Sequence, residues 1–110
     1  MDKMSKNSGI EQLRDSVEQV IKTVYDPEIP VSIWELGLIY DIQITGNGKV
    51  VVLMTLTAPN CPAAEGLLVE VEEKIKMIPG VNDAKVIITF DPPWDQNMMS
   101  EEAKFELGLF

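Results

Sequence analysis

The fold of this chain is decided by residues 40–62, which read YDIQITGNGKVVVLMTLTAPNCP. In Tyr40–Thr45 apolar and polar residues alternate, which is the pattern of a strand with one exposed face. The Asn47-Gly48 dipeptide then favours a type I′ hairpin turn. Residues 50–57 are rich in β-branched side chains and predict a second strand that pairs antiparallel with the first and is buried on both faces where it begins.

A helix precedes this hairpin. A capping box that starts at Ser8 predicts a first helix from about Gly9 to Val24, where apolar residues recur at helical spacing. Prolines make residues 25–33 a loop. Gly37 lies in a short turn before the first strand, and we expect it to adopt a positive φ.

The chain after the hairpin predicts a helix, a strand and a short final helix. Pro62 suits the first position of the second helix, and the Pro-Gly pair at 79–80 ends it. Residues 84–90 alternate as a third strand, which is parallel to the second because a helix connects the two. Ser100 caps a last helix that ends at Leu107.

The predicted element order is therefore α-β-β-α-β-α. It indicates an α/β (α+β) fold, a two-layer sandwich in which helices pack against a small mixed three-stranded sheet. The chain has 110 residues, of which 45% are hydrophobic, and this is the size of one domain, residues 1–110.

Composition excludes several classes of function. Eighteen acidic and nine basic residues give a net charge of -9, which is the wrong sign for nucleic acid or an anionic membrane surface. A single cysteine and the absence of histidine exclude an internal disulfide, zinc-finger spacings and histidine-based catalysis. The longest apolar run, Val50–Met54, is too short for a membrane span, so we expect a cytoplasmic protein with a reduced thiol.

Cys61 is the residue whose setting points to chemistry. With Pro62 as the first helical residue, Cys61 becomes the N-cap, where free backbone amides and the helix dipole favour the thiolate. Thiolate binds soft metals. An arbitrary cytosolic cysteine is more often a small buried apolar residue, by roughly two to one, and the Cys-Pro helix start makes the two interpretations about equal. One thiolate cannot hold an iron-sulfur cluster or tetrahedral iron, which needs about four donors, so a second copy, a client protein or a small thiol would supply the rest.

The acidic and hydroxyl residues near Cys61 leave alternatives open. Asp26 and Glu28 could polarise a ligand beside Cys61, but a turn uses the same residue types, and the spacing favours the turn. Thr55 and Thr57 share one strand face and either face the cysteine loop or simply favour β structure. A catalytic cysteine would need a carboxylate as its base, so we rank a cysteine-dependent transferase below metal or persulfide handling.

A second candidate surface lies near the C-terminus. Trp94 follows two prolines, and Met98 and Met99 come shortly after it. These side chains either close the core as a lid or form a surface for a partner protein, because tryptophan and methionine are enriched at interfaces.

The chain resembles the small metal-sulfur cluster assembly family that includes SufT-like proteins and the PaaD-like component of aromatic-ring monooxygenase systems. The resemblance covers nearly the whole chain, and PaaD-like members carry further cysteines toward the C-terminus, so their absence here favours the SufT-like side. Six motifs in register carry it: Asp26-Pro27-Glu28, Leu36-Gly37-Leu38-Ile39-Tyr40, Thr55-Leu56-Thr57, Cys61-Pro62, Pro79-Gly80-Val81 and Asp91-Pro92-Pro93-Trp94.

The resemblance implies a role in the maturation of iron-sulfur proteins. Cys61 matches the functional cysteine of the family, and Asp26, Glu28, Thr55 and Thr57 match its other signature positions. We therefore expect a non-enzymatic factor in which Cys61 is the metal ligand and Thr57, Asp26 and Glu28 lie beside the bound group. The cargo would be an iron-sulfur cluster or iron, bound transiently.

The same reasoning predicts which molecules the protein meets. Partners would be client iron-sulfur proteins and assembly or carrier proteins, with neither nucleic acid nor a membrane among them, and shared ligation predicts a homodimer. The alternatives are a non-metal adaptor that uses the surface around Trp94, with Cys61 incidental, and a PaaD-like accessory component of an aromatic-ring monooxygenase system.

Overall fold

A computed structural model describes residues 2–27, 29–57 and 64–108, and for residues 2–8 only the backbone. In chain order the elements are α1 (Asp2–Ile21), β1 (Ile39–Ile44), β2 (Lys49–Met54), α2 (Ala64–Lys76), β3 (Asp83–Ile88), a 3₁₀ turn (Gln96–Met98) and α3 (Glu101–Glu106). This order confirms the predicted α-β-β-α-β-α sequence of elements. None of the described helices is both long and apolar enough to cross a membrane.

The three strands form one mixed sheet in the order β1-β2-β3. β1 pairs antiparallel with β2, and Ile42 lies opposite Val52. β2 pairs parallel with β3, and Val52 lies opposite Val86. Both predicted pairings are confirmed, because a short hairpin forces neighbouring strands to run antiparallel and a helical crossover allows them to run parallel.

The helices cover one face of the sheet. Along β2 the side chains of Val50, Val52 and Met54 are buried, whereas those of Val51 and Leu53 are half-buried. The prediction that β2 is buried on both faces at its start is therefore wrong, because the helices of the described ranges cover one face of it. The buried core unites Val17 and Ile21 of α1, Leu67, Val71 and Ile75 of α2, and Ala84 and Val86 of β3 with those inner residues of β2.

The first helix begins earlier than the sequence pattern predicts. α1 starts at Asp2, so Ser8 lies inside the helix and is not its N-cap. Once a helix is anchored by core side chains, each further residue adds a hydrogen bond at little cost, and this extension outweighs a local capping preference. The helix ends at Ile21, three residues before the predicted Val24, whose amide donates to the Ile21 carbonyl at 3.0 Å.

The hairpin turn also differs from its prediction. The Gly48 amide donates to the Thr45 carbonyl at 3.1 Å, and Gly48 has a φ of 80°. No non-glycine residue in the described ranges has a positive φ, so Asn47 does not adopt the type I′ conformation. The loop is instead a turn followed by a glycine bulge. Tertiary contacts fix it: the Asn82 amide donates to the Gly48 carbonyl at 2.7 Å, and a Cβ at Gly48 would overlap the Gly80 carbonyl.

The last part of the chain packs across the loop before β1. We call residues 91–100 the strap. Trp94 donates its indole N–H to the Leu36 carbonyl at 2.7 Å, and the Tyr40 hydroxyl donates to the Pro92 carbonyl at 2.7 Å. The Ser100 amide donates to the Glu35 carbonyl at 2.8 Å, so the strap is held along its whole length.

The strap leads directly into α3. The Ser100 hydroxyl accepts a hydrogen bond from the Ala103 amide at 3.1 Å and caps the helix, as the sequence predicts. α3 contributes the buried Ala103 to the core, and its last residue is Glu106, one residue before the predicted end.

Candidate functional site

The candidate site lies where β2 ends. β2 stops at Met54, Thr55–Thr57 continue the chain, and α2 begins at Ala64. Cys61 falls between these two fixed points, but it lies outside the described residues, as does Glu28. The predicted roles of Cys61 and Glu28 therefore stay predictions.

A ladder of backbone hydrogen bonds joins this end of β2 to the loop after α1. The Thr55 amide donates to the Leu38 carbonyl at 2.8 Å, and the Leu38 amide donates to the Ile33 carbonyl at 3.1 Å. The Ile33 amide in turn donates to the Val24 carbonyl at 2.9 Å. The ladder thus brings the turn that contains Asp26 to the same end of the sheet as Thr55, although the two residues are far apart in sequence.

Asp26 holds that turn together. Its side chain is only 8% exposed, and Oδ1 accepts a hydrogen bond from the Ile29 amide at 3.0 Å. The Asp26 amide donates to the Val31 carbonyl at 3.2 Å, which closes the loop. This geometry matches the structural role that the sequence favoured for Asp26. Contact between Asp26 and a bound group stays a prediction.

The two threonines of the candidate site differ in burial. Thr55 is completely buried, and its Oγ1 has no hydrogen-bond partner among the residues that the structure describes. Thr57 is half-buried and lies closer in sequence to Cys61. A buried hydroxyl without a partner costs about 1–3 kcal/mol, so Thr55 is the unusual residue of the pair. Sequence analysis placed Thr57, and not Thr55, beside the bound group. It could not single out Thr55, because residue type and spacing do not show whether a hydroxyl is paired.

The residues of the second candidate surface do not lie together on the outside. Met99 is 6% exposed and belongs to the core, while Trp94 and Met98 are half-buried. The hydroxyl of Tyr40 lies 3.7 Å from the Met98 sulfur. The structure thus places these residues in the strap that closes the core, which is the lid interpretation. Sequence analysis missed Glu35 and Tyr40 as the anchors of this lid, because they precede the strap by more than fifty residues.

Among the described residues, no three acidic side chains come close enough together to hold a metal ion.

Lys22 places its ammonium 5.5 Å from the centre of the ring of Trp34, which lies on the loop that also carries Asp26. This distance is within the range of a cation–π interaction, which restrains the exposed side of the loop.

Comparison with known proteins places the chain in a family. The model of a family described as iron-sulfur cluster assembly proteins matches residues 14–88. An Fe-S protein maturation auxiliary factor of Porphyromonas gingivalis is 47% identical over 94% of this chain and 98% of that protein. The Fe-S protein maturation auxiliary factor SufT of Staphylococcus aureus is 38% identical over 78% of this chain and 98% of that protein.

The fold is shared with a solved structure. A domain of unknown function from Bacillus anthracis superposes with a TM-score of 0.85 and 34% identity, covering 91% of this chain and 95% of that one. The match of the family model, the near full-length coverage of the relatives and the common fold agree with one another. The chain therefore belongs to the iron-sulfur cluster assembly protein family and is similar to its SufT-like members.

Proposed function

We propose that this protein is a maturation factor for iron-sulfur proteins that binds an iron-sulfur cluster or iron transiently through Cys61 and passes it to client proteins. The observation that carries the proposal is membership of the family together with relatives that are maturation factors over almost their whole length. The protein performs no turnover of its own, and the cluster is its cargo.

The donor set of the chain explains why binding would be transient. The sequence has one cysteine and no histidine, whereas iron in a cluster or a tetrahedral site takes about four donors, mostly sulfur. The remaining donors come from a client protein, a carrier, a small thiol or a second copy of this chain. A site that borrows its ligands releases its cargo when a better set of ligands arrives, which is what delivery requires.

The geometry around the end of β2 supports the same site. Thr57 leads toward Cys61, and the backbone ladder holds the Asp26 turn at that end of the sheet. Thr57, Asp26 and Glu28 would then surround the cargo, while α2 begins immediately after the cysteine segment. The partners are assembly or carrier proteins and iron-sulfur clients of the cytoplasm.

The decisive experiment compares the protein with Cys61→Ser and with Met77→Ser. Met77 is 81% exposed and follows the far end of α2, a helix of 13 residues, so Met77→Ser removes a sulfur about 20 Å from the site. Each protein is loaded anaerobically with iron and sulfide. Bound iron, acid-labile sulfide and activation of an apo iron-sulfur dehydratase are then measured.

We expect Cys61→Ser to lose nearly all bound iron and client activation, and Met77→Ser to retain both. Thermal melts of the three proteins verify that they are equally folded. If Cys61→Ser activates the client as well as the unchanged protein does, the cysteine carries no cargo and an adaptor role without metal replaces this proposal.

A further inference from the structure

One face of the sheet is not covered by the helices of the described ranges, and we call it the open face. Side chains alternate along a strand, so this face carries the residues that lie between the buried ones. Val51 and Leu53 of β2 are half-buried there, and Ile87 of β3, which pairs with Leu53, is 43% exposed. A sheet face in contact with water is ordinarily polar. The apolar centre of the open face therefore marks it as a contact surface.

The charges on the open face cancel one another. The three strands carry two aspartates and two lysines, and all four are exposed on this face: Asp41, Asp83, Lys49 and Lys85. The whole chain has a net charge of -9, so its excess of negative charge lies elsewhere. Like-charged molecules repel one another. The open face is therefore a surface at which two copies of this acidic chain can approach with little repulsion.

The register places opposite charges at opposite corners of the apolar centre. Asp41 on β1 lies beside Leu53 of the central strand β2. Lys85 on β3 lies beside Val51 of the same strand. The midpoint between the two charges therefore falls on β2, at the apolar centre. A two-fold axis through that midpoint, lying in the interface and perpendicular to the line between the charges, sets one apolar centre against the other. It also sets each Asp41 against Lys85 of the second copy, so the face is complementary to itself, as a two-fold interface requires.

We propose that the open face is the surface through which two copies of this protein associate when they share their cargo. This inference rests on the proposed function and deepens it, because it names the surface through which a second copy supplies its Cys61. Each strand has six residues, so the face measures about 14 by 20 Å, or about 300 Å² per copy. A stable interface buries about 800 Å² per partner. The face alone is therefore too small to hold a dimer, and it adds to the bonds of the shared cargo.

Charge reversal tests this arrangement by sedimentation of the iron- and sulfide-loaded protein at physiological salt. Asp41→Lys makes the chain less acidic, so general repulsion alone would let copies associate more tightly. The proposed contact instead sets lysine against lysine twice, and we expect the dimer dissociation constant to rise about tenfold. Lys85→Asp should weaken association similarly. The double variant should return to within about threefold of the unchanged protein, because both contacts re-form with their charges exchanged.

Two substitutions on helices are the matched controls. Asp15→Lys changes the net charge as Asp41→Lys does, but Asp15 is exposed on α1, and it should leave the dissociation constant unchanged or lower it. Ile87→Thr removes apolar surface from the open face and keeps a β-branched side chain, so it should raise the constant about threefold. Val69→Thr makes a comparable change on α2, where Val69 is 56% exposed, and should have no effect. Thermal melts verify that all variants are folded.

Equal dissociation constants for Asp41→Lys and Asp15→Lys would overturn the proposal, as would a double variant that associates no better than the single ones. The Asp41 carboxylate also accepts a hydrogen bond from the Ile42 amide at 2.9 Å. If Asp41→Lys does not fold, Asp41→Asn keeps an acceptor and removes the charge, and an unchanged constant in that variant overturns the proposal too. A loaded protein that holds its iron as a monomer refutes this inference alone. Full client activation by Cys61→Ser refutes the proposed function itself.

Discussion

Asp26 has a structural role in the fold, and its role beside the cargo is a prediction. Its Oδ1 accepts from the Ile29 amide, and the backbone ladder joins the turn that it closes to the end of the sheet. A side-chain amide can accept the same hydrogen bond without carrying a charge. The structural and the electrostatic contributions of Asp26 can therefore be separated by substitution.

We predict that Asp26→Ala lowers stability by about 1 kcal/mol, because the half-buried Ile29 amide loses its acceptor, and that Asp26→Asn lowers it much less. Urea unfolding monitored by circular dichroism measures this difference. If the charge of Asp26 contributes to cargo binding, Asp26→Asn also reduces the iron retained after anaerobic loading. Equal stability of the alanine and asparagine variants would contradict the structural role.

At the scale of elements, a helix side chain is hydrogen-bonded to one backbone group on each outer strand of the sheet. Arg14 of α1 donates to the Ile42 carbonyl on β1 at 2.9 Å, and Glu72 of α2 accepts from the Val86 amide on β3 at 2.9 Å. Unpaired strand edges invite pairing with other chains, and charged groups placed on an edge oppose it. The sequence shows these residues only as part of the polar faces of two helices, so their function at the edges appears only in the folded chain.

The strap and the loop before β1 pack so closely that one glycine is required between them. Gly37 has a φ of 78°, as the sequence predicts, and a Cβ there would overlap the Met98 carbonyl. We predict that Gly37→Ala destabilises the protein by about 2 kcal/mol or more, since it combines backbone strain with a steric clash. Thermal or urea unfolding measures the loss.

Gly66 provides the matched control for that substitution. It lies within α2, and a Cβ at Gly66 would meet nothing within 4 Å. Gly66→Ala should therefore stabilise the protein by about 0.5–1 kcal/mol, because alanine favours the helix. If Gly37→Ala were as stable as Gly66→Ala, the strap would not depend on the close approach at Gly37.

At the scale of the whole molecule, the net charge of -9 on a 12.3 kDa chain opposes the association of two copies. Like-charged molecules repel one another, and salt screens that repulsion over about 8–10 Å. A homodimer that shares iron must overcome this repulsion through its metal–sulfur bonds. Self-association should consequently depend on the cargo and be stronger when salt is present.

We predict that the solution mass doubles when iron and sulfide are supplied anaerobically, and that Cys61→Ser stays monomeric under the same conditions. Sedimentation with and without iron, at low and at physiological salt, measures this. A loaded protein that holds its iron as a monomer would contradict ligation shared between two copies. In that case a client, a carrier or a small thiol supplies the missing donors.

The sequence by itself determined the kinds of element, their order and the pairing of the strands. Apolar spacing separates helix from strand, the short hairpin requires β1 and β2 to run antiparallel, and the crossover through α2 allows β3 to run parallel to β2. It also singled out Cys61 as the only thiol of the chain, since composition alone excludes a second one. These features follow from interactions between neighbouring residues or from residue counts.

Only the tertiary structure decided the features that depend on distant residues. The turn at Gly48 is set by Asn82, and the loop before β1, which receives the hydrogen bond of the Thr55 amide, is itself bonded to the strap. Whether a hydroxyl is paired or unpaired is decided by every group packed around it, and those groups come from several segments of the chain. Local sequence patterns do not predict such contacts, because these contacts form only when the elements pack together.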